Sequence, residues 1–293
     1  MATQAKLIEG VKEVIQDTAF TSARILDYLN QGTRQIAGGI LLQYPDRTQL
    51  ISSPLPLLQT NSSLTTSITL PYISMPSDYG RVLFALVSST NSLGIEVVGG
   101  LSELLAYYEN LDNTGRVTMA AIRGDRLYYQ GYPTSAETLV AYYHRDPHDM
   151  ATLTGGTDIS FATNTVSDAG NGLGVFKVGQ TIDVTSTSNN NTSLTVSSVA
   201  TTGATMVVDE DLTTEANTSA TLKSRPDGIP SHLHESLLEN YAAWKIFERK
   251  SRAEKPTDID AKRYYGLFMS AMLDLEASIE TIPEPIQFKS ERY

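Results

Sequence analysis

The chain has 293 residues, of which 41% are hydrophobic and 19% charged, the proportions of a folded protein with an adequate core. It contains no cysteine, which excludes disulfide frameworks, thiolate zinc sites and cysteine nucleophiles. Its formal net charge of −11 argues against a grip on nucleic acid, because affinity for phosphates is built from Lys and Arg; an acidic wall can still line a passage through which DNA slides without adhering.

Met1 to Asp17 carries scattered charges and no continuous apolar run, so it does not read as a signal peptide. No apolar stretch approaches the roughly 20 residues of a membrane span, and the chain is expected to be soluble and cytosolic in origin. Leu7, Val11, Val14 and Ile15 share one helical face, which predicts a short amphipathic helix over Gln4–Asp17. Thr21 or Ser22 can cap a second helix carrying Ile25, Leu29, Ile36 and Ile40. Gly32, Gly38 and Gly39 weaken it, and Tyr44-Pro45-Asp46 is expected to end it.

From Leu50 to Asp149 the signals shorten. Ile68–Leu70, Arg81–Val87, Val117–Ile122, Arg126–Gln130 and Thr138–Tyr143 read as strands, and Leu101–Glu109 as one or two helical turns. Arg123-Gly124-Asp125 predicts a tight hairpin.

The composition then breaks. Ala151 to Ser224 has no tyrosine, although the chain carries 15, and is rich in Thr, Ser, Asn and Gly. Asp168-Ala169-Gly170-Asn171-Gly172 is turn text, and alternation at Ile182/Val184, Leu194/Val196 and Met206/Val208 predicts short strands of a small antiparallel sandwich or barrel. After Asp227-Gly228 the helical text returns. Pro230 suits a first helical turn, and Leu233, Leu237, Tyr241, Trp244 and Phe247 form a wide apolar stripe. Thr257 and Asp260 have the spacing of a capping box, after which Tyr264, Phe268, Met272, Leu275 and Ile279 line a second helix. Two helices of about 20 residues would each be about 30 Å long and pack antiparallel. Pro283 to Phe288 cannot continue the helix and reads as an extended tail.

The expected fold class is therefore α+β: a helical-bundle core with a small antiparallel β region, plus an inserted all-β sandwich or barrel-like domain. The expected division is 1–150 core, 151–225 inserted β domain, 226–282 closing helices of the core, and 283–293 tail.

Catalytic constellations are thin. His144 and His148 straddle Pro147, and His232 and His234 are two apart, so neither pair shares a helical face for a metal. Asp209-Glu210-Asp211 resembles a fragment of a calcium loop but lacks its spacing, and reads as an acidic turn. Gly170–Gly174 lacks the Lys-Ser/Thr of a P-loop, and no Gly-x-Ser-x-Gly elbow occurs. No catalytic residue, cofactor or metal is assigned, and the chain is expected not to be an enzyme. The tyrosine pairs 107/108, 128/129, 142/143 and 264/265 are read as one core and one surface or interface residue each.

Leu70-Pro71-Tyr72-Ile73-Ser74-Met75-Pro76-Ser77-Asp78-Tyr79, then Arg126-Leu127-Tyr128-Tyr129, Leu139-Val140-Ala141-Tyr142-Tyr143-His144-Arg145-Asp146-Pro147 and the helix start Leu237–Lys245 occur in an order that resembles the head-to-tail adaptors, or head-completion proteins, of tailed bacteriophages. The segment Thr165–Ala216 is similar to β modules found in phage virion proteins. The resemblance implies a virion protein of the neck, made in the host cytoplasm. It further implies a homo-oligomeric ring, usually twelve-fold, docked under the portal protein. Such a ring extends the DNA channel and offers a platform for tail, nozzle or fibre proteins, with no membrane involved. On this reading Pro283, Pro285, Ile286, Phe288 and Tyr293 dock the portal, while Leu237, Tyr241, Trp244, Tyr264, Phe268 and Leu275 serve core and interface. The alternative is a virion or surface binding module whose β insert recognises a glycan or a fibre.

Overall fold

The computed structural model describes residues 3–39, 54–89, 93–156, 158–251 and 258–280. In chain order the elements are helices α1 (Gln4–Ile15) and α2 (Ser22–Ala37), strands β1 (Gln59–Thr65), β2 (Tyr72–Ser74), β3 (Tyr79–Ser88), β4 (Leu93–Gly94) and β5 (Glu96–Val98), then α3 (Leu101–Tyr107). Strands β6 (Asn113–Thr114), β7 (Met119–Arg123), β8 (Arg126–Tyr129), β9 (Gly131–Tyr132) and β10 (Thr138–Arg145) follow. Next come β11 (Thr152–Thr154), β12 (Ile159–Asp168), β13 (Thr181–Thr185), β14 (Ser193–Val199), β15 (Thr205–Thr218) and β16 (Thr221–Ser224), and finally α4 (Asn240–Ser251) and α5 (Asp258–Glu280). The class is mixed α+β. Contacts divide the chain into two units: Leu58–Asp146 forms one, and Met1–Leu57 with Pro147–Thr281 the other. The six strands from β11 to β16 thus group with the helices, whereas β1 to β10 stand as a unit of their own.

In the Leu58–Asp146 unit two four-stranded sheets, β1-β10-β3-β4 and β2-β8-β7-β5, share a core that includes Leu64, Leu86, Leu127, Tyr129, Leu139 and Tyr143. Inward and outward residues alternate along β10, as a sheet with one buried face requires. The expected hairpin is present, with Arg123 paired to Arg126 across Gly124-Asp125. Helix α3 sets Leu104 against Ala121, with Tyr128 packed beside them.

One expectation fails in this unit, and one strand was not expected. Ile68–Leu70 is a loop, not a strand: the Ser67 hydroxyl accepts from the backbone N–H groups of Thr69 and Leu70, and the Tyr129 hydroxyl donates to the Leu70 carbonyl at 2.7 Å. Local side-chain bonds satisfy the backbone there, so no ladder is needed. Conversely β1, a polar segment with little strand propensity, pairs with β10 over seven residues from Gln59↔His144 to Thr65↔Thr138.

In the other unit α1 is capped by Thr3 and α2 by Thr21. Helix α2 stops at Ala37, well before the proline expected to end it, because Gly38 caps it and Gly39 turns left-handed at φ 68°. The stretch after Pro230 is not a uniform α-helix: Ser231–Leu233 is a 3-10 turn, Glu235–Glu239 a π-helical turn, and only then does α4 run regularly. Helices α4 and α5 are antiparallel, since Tyr241 meets Phe268, Trp244 meets Tyr265, and Phe247 meets Tyr264.

The remaining strands form one six-stranded sheet ordered β11-β16-β13-β14-β15-β12, antiparallel throughout. Its core includes Phe161, Phe176, Ile182, Leu194, Met206 and Leu222. The Asp168 turn is as expected, with the buried carboxylate accepting from the N–H groups of Gly170 and Gly172 at 3.0 and 2.6 Å. Asp209-Glu210-Asp211 is not a turn but lies within β15, where the Glu210 carboxylate accepts from Thr195 N–H at 2.8 Å. The first and last strands, β11 and β16, pair with each other. At their root the buried Asn30 amide donates to the Met150 carbonyl (3.1 Å) and accepts from the Met150 N–H (2.8 Å). Thr152 donates to Gln4 at 2.8 Å, and Gln180 to the Asp149 carbonyl at 3.0 Å. Short polar bonds therefore lock this sheet to α1 and α2.

Candidate assembly surface

The two motifs most characteristic in the sequence meet in the Leu58–Asp146 unit. The Tyr143 hydroxyl donates to the Asp78 carboxylate at 2.8 Å, and Asp146 N–H donates to the Asp78 carbonyl at 2.8 Å. The Tyr79 and Tyr143 rings lie 5.7 Å apart. Burial pushes the Tyr143 phenol well up, and the adjacent Asp78 carboxylate adds to the shift, so the tyrosine remains a proton donor to Asp78. Each group is consumed by the other, which makes this corner a packing device, not a reactive pair.

The histidines do not converge. His144 lies on β10, half-buried beside the Phe84 ring at 5.5 Å, and burial lowers its pKa. His148 donates its backbone N–H to Asp227, and the buried His234 imidazole meets the Ile229 carbonyl at 2.9 Å. Among the described residues no group of three or more His, Cys, Asp or Glu could hold a metal ion, and no helix is long and apolar enough to cross a membrane.

The helical residues singled out in the sequence do come together. Leu237, Tyr241, Phe268 and Leu275 are buried, while Trp244 and Tyr264 are half-buried. Tyr241 donates to Gln35 on α2 at 2.8 Å, tying α4 to α2. Trp244 stacks on Phe268 at 5.7 Å, and Phe247 on Tyr264 at 5.5 Å, spacings at which aromatic pairs add stabilisation beyond area. The opposite side of α5, where Ile259, Leu267 and Leu273 are 77%, 44% and 47% exposed, carries no motif that marks it in the sequence. Pro283, Pro285, Ile286, Phe288 and Tyr293 lie outside the described residues.

The π-helical turn carries a perturbed carboxyl. Glu239 packs against Gly10 of α1, where an added Cβ would sit 2.5 Å from its carboxylate. Burial first, then the charges of Glu235 and Glu13, raise its pKa to about 7 against the opposing pull of Lys6. A carboxyl raised in the folded state binds its proton there after the unfolded chain has released it. Its contribution is fully present below the unfolded pKa near 4.5 and is lost as pH rises through about 7. Glu239→Gln is therefore expected to stabilise the protein at pH 8 and to leave it unchanged at pH 4. Urea midpoints of parent and variant at the two pH values check this, and equal midpoints at pH 8 would refute it.

The likeness to known proteins places the chain among the phage adaptors. The family described as SU10 adaptor protein matches residues 2–171, more than half of the 293 residues, and the chain belongs to that family. The match covers α1 through β12 and excludes α4 and α5. No curated protein matches the chain. Among solved structures, the flagellar hook junction protein FlgK from Burkholderia pseudomallei aligns at 10% identity over 97% of this chain and 60% of that one, with a TM-score of 0.12. The chain thus spans less than two thirds of that protein, and a likeness at this score carries no argument.

Proposed function

We propose that the chain is an architectural protein of the phage neck, without catalytic activity, that forms a closed ring between portal and tail. Membership of the adaptor family over residues 2–171 is the observation that carries this reading. The helices α1, α2, α4 and α5 act as the bundle core of each subunit, and neighbouring copies cover its remaining apolar and tyrosine surface, as a head-to-tail contact that closes on itself allows. The β11–β16 sheet projects toward tail components. The acidic balance of the chain, −11, suits a channel wall that is acidic or mixed and lets DNA pass without adhering.

In this reading the tail from Pro283 to Tyr293 docks on the portal with Ile286 and Phe288 as anchors. Buried aromatic anchors carry a large share of interface energy. Mixing purified protein with isolated portal rings and measuring co-sedimentation tests the assignment. Phe288→Ala is expected to weaken attachment by about tenfold or more, and attachment as tight as the parent's would overturn it. Mass measurement of the portal-bound assembly gives the subunit number.

A further inference from the structure

Helix α5 has 23 residues and is therefore about 34 Å long. Its main contacts are with α4 and the π-helical turn, which bury Phe268, Met272 and Leu275. The opposite face is open, with Ile259, Leu267 and Leu273 exposed among Lys262, Arg263, Ser270 and Asp274. Single exposed apolar side chains need no explanation, and these three are spread over about 120° of the helix circumference.

The polar residues on that face say what covers it. Arg263, Leu267, Ser270 and Asp274 are all exposed and step by four, three and four, so they fall on one line along the helix. Arg263 and Asp274 are separated by three turns, about 16 Å. The order along the line is base, leucine, small residue, acid. Turned through a two-fold axis, the same line runs acid, small residue, leucine, base. Two copies laid antiparallel would thus set Arg263 against the Asp274 of the other copy and Leu267 against its Ser270, each contact occurring twice. Gly266 adds an independent observation: a Cβ there would meet nothing within 4 Å, so the subunit's own packing does not need a glycine, whereas close approach of another helix would use one. An unrelated partner would have no reason to find a surface that complements itself about its own midpoint, near residues 268 and 269.

We infer that the outer face of α5 is an interface for a second copy of this chain, paired antiparallel about a two-fold axis. The contact is isologous and closes on itself, so it describes the free protein; the pair opens when a ring forms, where head-to-tail neighbours take over the same face. It buries Leu267, which a lone subunit leaves 44% exposed.

Light scattering on the full-length protein at about 100 µM tests this. The parent is expected to have twice the 31.9 kDa chain mass, and Leu267→Glu, an exposed position whose change leaves the circular dichroism intact, the mass of one chain. Arg263→Glu is expected to weaken the pair by about tenfold. The double change Arg263→Glu/Asp274→Arg is expected to return it to within about threefold of the parent, because the swapped charges meet again only across a two-fold axis. A monomeric parent, a dimeric Leu267→Glu protein, or a double variant as weak as the single one would each overturn the inference. Portal co-sedimentation of the Leu267→Glu protein reports separately on the ring reading, which neither stands nor falls with these masses.

Discussion

Replacing Phe268 with alanine is expected to cost about 3–5 kcal/mol of stability, within the range found for buried aromatic truncations. The ring is fully buried, stacked on Trp244 at 5.7 Å and edge-on to Tyr241 at 5.5 Å. It fills the space where α4 and α5 cross, so its removal opens a void that only partial relaxation of the helices could close. A loss of this size is a large fraction of the roughly 5–15 kcal/mol that holds a typical domain together. The chain has a single tryptophan, Trp244, which lies against the substituted ring. Its emission therefore reports both the loss of stacking and the shifted urea midpoint. Phe268→Leu, which restores most of the volume, is expected to cost less. A midpoint for the alanine variant equal to the parent's would show that α5 is not anchored through this residue.

The second large effect is expected at Asn30. Its amide satisfies both backbone groups of Met150 from a buried position. Asn30→Leu would leave a donor and an acceptor without a partner and away from water, at a cost of about 2–4 kcal/mol. The damage is expected to be local as well as global, because Met150 leads directly into β11, whose Leu153 pairs with Leu222 of β16. Hydrogen exchange should accelerate at Met150 and across β11 while the middle of the sheet, around Ile182 and Leu194, stays protected. Uniform exchange throughout the sheet, or no change at all, would argue against this joint.

The parts legible in sequence were those governed by local chemistry. The cap at Thr21, the stripe of Ile25, Leu29 and Ile36, the Gly124-Asp125 hairpin and the Asp168 turn all depend on residues a few positions apart. The unreadable parts depend on partners far along the chain. The β1 segment has few apolar residues to announce it and becomes a strand because β10 offers it seven registered partners. Ile68–Leu70 has strand-like residues, yet Ser67 and Tyr129 satisfy its backbone in a loop. Leu267 on the open side of α5 and Leu275 on the packed side are the same residue type in one helix. Only the place of α4 decides which is core.

What the sequence determined by itself was the α+β class, the helix faces and the character of the closing aromatic stripe, since hydrophobic periodicity and capping act within a few turns of the chain. The tertiary structure alone decided that the strands after Met150 are joined to α1 and α2, that Glu239 is pressed against Gly10, and that one face of α5 is left bare. Those outcomes are set by which surfaces meet in space, and burial, unlike helical propensity, has no value until the neighbouring element is in place.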